Sequence, residues 1–96
     1  MAEYEWARLR ADELRKYSQD DTVVIVPVAA LEQHGPHLPV MVDSRLVEEV
    51  SKRTASLGGD KGIPIITLPV VWHGLSEHHM PFGGTSRSPS THIEFI

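Results

Sequence analysis

Two apolar runs limit what this chain can fold into. Thr22 to Ala30 reads Thr-Val-Val-Ile-Val-Pro-Val-Ala-Ala, and Ile63 to Trp72 reads Ile-Pro-Ile-Ile-Thr-Leu-Pro-Val-Val-Trp. The first is rich in β-branched residues and continuously apolar, the pattern of a central parallel strand buried on both faces. Pro27 cannot donate a ladder hydrogen bond, so pairing is expected to be interrupted there. Between the runs, Leu46, Val47, Val50, Thr54 and Leu57 recur at helical spacing. Strand, helix and strand make one βαβ unit, for which a parallel sheet is expected. The predicted strands are Val23–Val28 and Pro64–Val71, and the predicted helix covers 44–57. Asp43 or Ser44 would cap its start and Gly58-Gly59 would end it.

An earlier helix is predicted over 6–17, with Trp6, Leu9, Leu14 and Tyr17 on one side and charged residues elsewhere. Its charge reads as a solvated face. A third helix is expected to begin at Ser88 as cap and Pro89 as first residue. It has Ile93, Phe95 and Ile96 as the start of an apolar face, and the sequence stops within that turn. A helix that short lacks the length to stabilise itself. The chain is therefore expected to be the N-terminal part of a longer α/β protein.

Composition removes several functions. The 96 residues are 41% hydrophobic, enough for one globular domain and no more. No apolar run approaches the roughly 20 residues of a membrane helix. The N-terminus lacks the basic and apolar regions of a secretory signal. With no cysteine, disulfides and thiolate metal sites are excluded, which fits a cytoplasmic protein. The net charge is −4, and the nine Lys and Arg are scattered, so nucleic acid is not an expected partner.

Chemistry concentrates in the segment that leaves the first strand, Leu31-Glu-Gln-His-Gly-Pro-His-Leu-Pro-Val-Met-Val-Asp43. It holds Glu32, His34, His37 and Asp43, and carboxylate with imidazole is a donor set that Zn²⁺, Mn²⁺ and Fe²⁺ accept. In an extended segment Glu32 and His34 point to the same side. Prolines stiffen the backbone around them, as a metal site needs. Ligands in open α/β sheets bind just beyond the carboxyl ends of strands, and this segment begins at such an end. The segment after the second strand, His73 to Thr85, should emerge at the same edge, and its glycines would allow a backbone to approach a ligand closely. Five of the six histidines fall in these two segments. A role for Asp43 as a helix cap alone is the competing reading. No Gly-x-Ser-x-Gly elbow, cysteine nucleophile or His-Glu-x-x-His pair is present.

Glu32-Gln33-His34-Gly35-Pro36-His37-Leu38-Pro39 with Asp43 resembles the signature of the creatininase (creatinine amidohydrolase) family. Leu68 to His78 is similar to that family's second loop, and Phe82-Gly83-Gly84-Thr85 resembles its Phe-Pro-Gly-Thr. The resemblance runs from Trp6 to the end. It departs at Trp72-His73-Gly74, where an aromatic usually meets glycine directly, and at Gly83, where proline is common.

The resemblance implies a three-layer α/β/α fold with a mostly parallel sheet, of which residues 1–96 would be the N-terminal part of a single domain. It implies a hydrolase of a non-peptide or cyclic C–N amide bond, acting on a creatinine-like or formamide substrate through water activated by two metals. Members of the family open creatinine, remove formyl groups from pyrimidine intermediates or trim a modified precursor peptide. By the resemblance Glu32 and His34 would each ligate one metal and Asp43 would bridge both. The ions would be Zn²⁺ first, with Mn²⁺ or Fe²⁺ as alternatives. Further ligands, a histidine and an acidic residue, would come from a later strand. The whole protein would be a cytoplasmic homo-oligomer.

His37, Glu77 and His78 are candidates for touching the ligands or lining the substrate pocket. His73 and His79 are expected to face solvent or pack, and His92 to lie on a helix surface. The alternative function is a non-catalytic metal-binding or interaction module, a truncated relic of the family. Unpaired apolar strands lead to a first prediction: the 96-residue chain expressed alone associates or stays molten. Dispersed amide resonances from a monomer with one sharp thermal transition would show instead an independent domain.

Overall fold

The computed structural model describes residues 3–74 and 76–95, with Glu77 described through its backbone only. The chain forms two compact units, 1–27 with 48–69 and 28–47 with 70–96. The first unit contains a parallel pair, β1 (Val23–Ile25) and β2 (Ile65–Thr67), in register Val23↔Ile65, Val24↔Ile66, Ile25↔Thr67. The other edge of β2 takes the N-terminal segment, where Glu5 bridges Thr67 and the Thr67 N–H donates to Tyr4 O at 2.8 Å. The α/β class and the parallel sheet agree with the sequence.

The strands are shorter than predicted. Pro27 and Pro69 have no N–H to donate, and the continuous ladder stops before each of them. The expectation of a central strand buried on both faces is corrected. β1 lies at the edge of the described sheet, with Val23 and Val24 exposed, and the buried residues are Ile66 and Thr67 of β2.

The first predicted helix is two pieces, a 3-10 turn at Trp6–Arg8 and α1 at Ala11–Ser18. Leu9 and Arg10 between them are extended, and the Arg10 N–H donates to Glu13 Oε1 at 3.0 Å. That carboxylate fills a helix-start position, so a new helix begins here.

The long helix α2 spans Val42–Asp60 and is longer at both ends than predicted. Asp43 is in its first turn and is not its cap, while Gly58 and Gly59 are inside it. The stop is Gly62, at φ +76°, with Gly62 N–H donating to Gly59 O and Ile63 N–H to Gly58 O, the bonding of a left-handed glycine terminus. The buried face is Ser51, Ala55 and Gly58, whereas Leu46, Val50 and Leu57 of the predicted apolar stripe are exposed. Small residues win this face because β2 comes so close. A Cβ on Gly58 would stand 2.3 Å from Ile65 Cδ1.

In the second unit the 3-10 turn Glu77–Phe82 precedes α3, Pro89–Phe95. Ser88 caps α3 as the sequence predicted, its Oγ accepting from Thr91 N–H at 3.2 Å. No helix among the described residues is long and apolar enough to cross a membrane.

The two helical glycines should separate cleanly. Gly58→Ala is expected to destabilise by about 1–3 kcal/mol through overpacking against Ile65. Gly59→Ala, whose added carbon meets nothing within 4 Å, is expected to stabilise by about 0.4–1 kcal/mol. Urea unfolding of both variants measures the difference, and equal effects would overturn the close-packed face.

Candidate metal centre

The second unit is built by stitching one loop to another. Val28 pairs with Val71 in a parallel bridge, and the Ala29 N–H donates to Val71 O at 2.8 Å. Past this point Glu32 pairs antiparallel with Gly84, held by Gln33 N–H to Gly83 O at 2.9 Å and Thr85 N–H to Leu31 O at 2.7 Å. Gly83 and Gly84 have φ of +117° and +145°, and a Cβ on Gly84 would lie 2.8 Å from Leu31 O. These glycines therefore serve the approach of one loop backbone to another. The sequence-based expectation assigned that freedom to a ligand. Ser44 Oγ donates to Ala30 O at 2.9 Å and ties the start of α2 to the first loop.

Glu32 is the hub. Its side chain is 18% exposed, and its Oε2 lies 3.6 Å from His79 Nε2. The hydroxyl of Ser76, itself buried, is the largest influence holding the Glu32 carboxyl below the usual carboxylate range. Burial opposes that shift, while His79, a hydrogen bond with Asp43, and His78 add to it. Ligand-type atoms of Glu32, His78 and His79 all lie within 4.8 Å of one another.

His34 and Asp43 form the adjoining pair. His34 Nδ1 is 3.0 Å from the Glu32 carbonyl oxygen, which can only accept, so Nδ1 carries a proton. The other nitrogen, Nε2, faces Asp43 Oδ1 at 3.4 Å. In the neutral ring that nitrogen is a bare lone pair beside a carboxylate oxygen. Either a proton, making the pair an imidazolium–carboxylate ion pair, or a metal ion can stand between them, and carboxylate with imidazole is a donor set that a divalent ion accepts.

The structure thus gathers Glu32, His34, Asp43 and His78, all named from sequence. It adds His79, which the sequence had assigned to solvent or packing, and Ser76, which had no role. For His79 the signal was the crowding of histidines into two segments. For Ser76 nothing in its residue type distinguished it from other loop serines. His37 sits on an exposed turn with its ring against Gly35. The Glu77 side chain lies outside the described residues. His73 and His92 accept from the Arg87 guanidinium, which also stacks 4.4 Å over the Phe95 ring, so both histidines pack at a separate cluster.

The fold and these groups define an α/β protein with a carboxylate–imidazole site at its loops. The family model described as creatinine amidohydrolase matches residues 7–96, and the chain belongs to this creatininase family of hydrolases. It is 33% identical over 75 residues to the mycofactocin precursor peptide peptidase of Mycolicibacterium smegmatis, covering 77% of the chain and 30% of that relative. The corresponding peptidase of Mycobacterium tuberculosis H37Rv is 31% identical over 67 residues, 65% of the chain and 27% of the relative. A creatinine amidohydrolase of Pseudomonas putida is 32% identical over 74 residues, 77% of the chain and 26% of the relative. The chain therefore spans less than a third of the length of these relatives. No solved structure matches it significantly.

The depressed Glu32 titration has a stability consequence. A carboxyl whose folded pKa lies below its unfolded value contributes stability above the unfolded pKa, and loses it as pH falls through the folded value. Ser76→Ala removes the largest influence, so the Glu32 pKa should rise and stability at neutral pH should fall. Carboxyl ¹³C titration of Glu32 reads the first effect directly. An unchanged titration would remove Ser76 from the site.

Proposed function

We propose that this chain supplies one part of the centre of a metal-dependent hydrolase that cleaves a non-peptide or cyclic C–N amide bond. Residues 1–96 would form the N-terminal part of its single creatininase-like domain. The observation that carries this reading is the His34–Asp43 pair. The Glu32 carbonyl fixes the proton of His34 on Nδ1 and leaves Nε2 and Asp43 Oδ1 facing each other at 3.4 Å. Family membership supports a hydrolase, and the name of the P. putida relative supports a cyclic amide substrate such as creatinine.

Glu32, His34 and Asp43 would hold two divalent ions, Zn²⁺ first and Mn²⁺ or Fe²⁺ as alternatives, with Asp43 between them. Divalent ions held in this way lower the pKa of a water molecule and polarise a carbonyl oxygen. The chain's own residues do the rest. Ser76 favours the ionised form of Glu32, the form that can act as a ligand. Asp43, in the first turn of α2, is held near its partners by a rigid helix whose start is tied to the first loop through Ser44. His78 is exposed beside Glu32, where it can meet a small amide. The cysteine-free composition fits a cytoplasmic protein, and we expect a homo-oligomer for the whole enzyme.

Metal content per chain tests this reading. Asp43→Ala should lose the most, because two cations would then face each other without the carboxylate between them. His34→Ala should lose mainly one ion, and His37→Ala should weaken binding less. Chelation should abolish hydrolysis of creatinine or formamide substrates by the whole protein, and Zn²⁺ or Mn²⁺ should restore it. Unchanged metal content in Asp43→Ala would end the two-ion reading, and turnover that survives exhaustive chelation would end the hydrolase reading.

A further inference from the structure

The two histidines that flank Glu32 differ in which ring nitrogen carries the proton, and the same short stretch decides both. Position alone nominates His79 as a ligand, because its nitrogen lies among the ligand-type atoms around Glu32. Its hydrogen bonds say otherwise. The Gln33 side chain spans from the first loop to the second. One end is 2.9 Å from the backbone nitrogen of Gly35. A backbone N–H can only donate, so that end of the amide is its oxygen. The other end is therefore the NH₂ group, and it lies 2.9 Å from His79 Nδ1. An amide NH₂ can only donate, so Nδ1 holds a lone pair. A neutral imidazole has one proton, and it must then sit on Nε2, the nitrogen that faces Glu32 Oε2 at 3.6 Å.

We propose that Gln33 is a positioning residue that keeps His79 off the metal by holding its neutral ring in the Nε2–H form, as a donor beside Glu32. His34 is the mirror case. The Glu32 carbonyl takes its Nδ1 proton and leaves Nε2 free for an ion. Three consecutive residues, Glu32 to His34, thus assign one histidine as a ligand and the other as a hydrogen-bond donor. A donor at that place suits an amide, whose oxygen or departing nitrogen must be met by a proton. The inference deepens the proposed metal site and rests on it for its consequence, but the tautomer itself can be read without any metal.

The test is long-range ¹H–¹⁵N NMR of the histidine rings in the metal-free protein at about pH 8, above the ordinary histidine pKa of about 6.5. The expected result is protonated Nε2 in His79 and protonated Nδ1 in His34. A protonated Nδ1 in wild-type His79 would overturn the proposal without any variant being made.

Gln33→Glu is the informative substitution. It keeps the shape and still accepts from Gly35, but offers His79 an acceptor in place of a donor. The His79 proton should move to Nδ1, Nε2 should become free to ligate, and Zn²⁺ should bind about 10–100-fold more tightly, the usual size of effects transmitted through a ligand's partner. In Gln33→Glu combined with His79→Ala the gain should vanish. A gain that persists there would come from the added charge alone and would overturn the proposal, as would an unmoved tautomer in Gln33→Glu. A Gln33 that served only as a strut between loops would leave the tautomer unmoved. If wild-type protein binds no Zn²⁺ or Mn²⁺ while His79 shows the expected tautomer, the hydrolase reading fails and the assignment of Gln33 stands.

Discussion

The site depends on a close approach of two backbones. Leu31–Gln33 and Gly83–Thr85 pair through two short hydrogen bonds, and Gly84 sits where any side chain would strike Leu31 O and the Glu32 Cα. This contact decides what Glu32 can touch. With the loops joined, Glu32 meets Ser76 and His79 from the second loop and Asp43 from α2. An L-residue at Gly84 would face both a positive φ and a backbone clash, so the constraint acts through conformation as well as through space.

Electrostatics then organises the cluster. Glu32 and Asp43 bring two carboxyl groups together, and the hydrogen bond between them favours the ionised Glu32. The Glu32 carboxyl is held below its usual range because the Ser76 hydroxyl, the two neighbouring imidazoles and this bond favour the anion more than burial disfavours it. The Glu32 carboxylate and the imidazoles around it offer electron pairs of the kind that a cation accepts.

Packing in the first unit rests on size more than on hydrophobicity. The buried face of α2 in this unit carries Ser51, Ala55 and Gly58, and the larger Val50 and Leu57 are exposed. A helix can lie close to a strand only where its side chains are small, and Ile65 occupies the room that a Cβ on Gly58 would need. The exposed valines of β1 and the exposed leucines of α2 leave considerable apolar surface uncovered in the described chain.

The α/β class, the parallel pairing of the two apolar runs, the cap of α3 at Ser88 and the crowding of ligand-type residues at Glu32, His34 and Asp43 were legible in the sequence alone. These follow from local rules. Continuous β-branched runs make strands, a serine before proline starts a helix, and ligand-type residues crowded into a rigid loop are visible as a string. The family signature in Glu32 to Pro39 was legible for the same reason. Tertiary structure alone decided the rest. The pairing of Tyr4 and Glu5 with β2 is a contact between residues far apart in sequence. The buried face of α2 was hidden because periodicity marks apolar residues, whereas closeness to Ile65 selects small ones. His79 and Ser76 joined the site only when Gly83 and Gly84 brought their loop against Glu32. Which nitrogen of each histidine carries its proton depends on the Glu32 carbonyl and on the Gln33 amide, whose orientation a backbone N–H two residues away fixes. Residue types name the donors that a site can use, and only their arrangement in space says which of them is free.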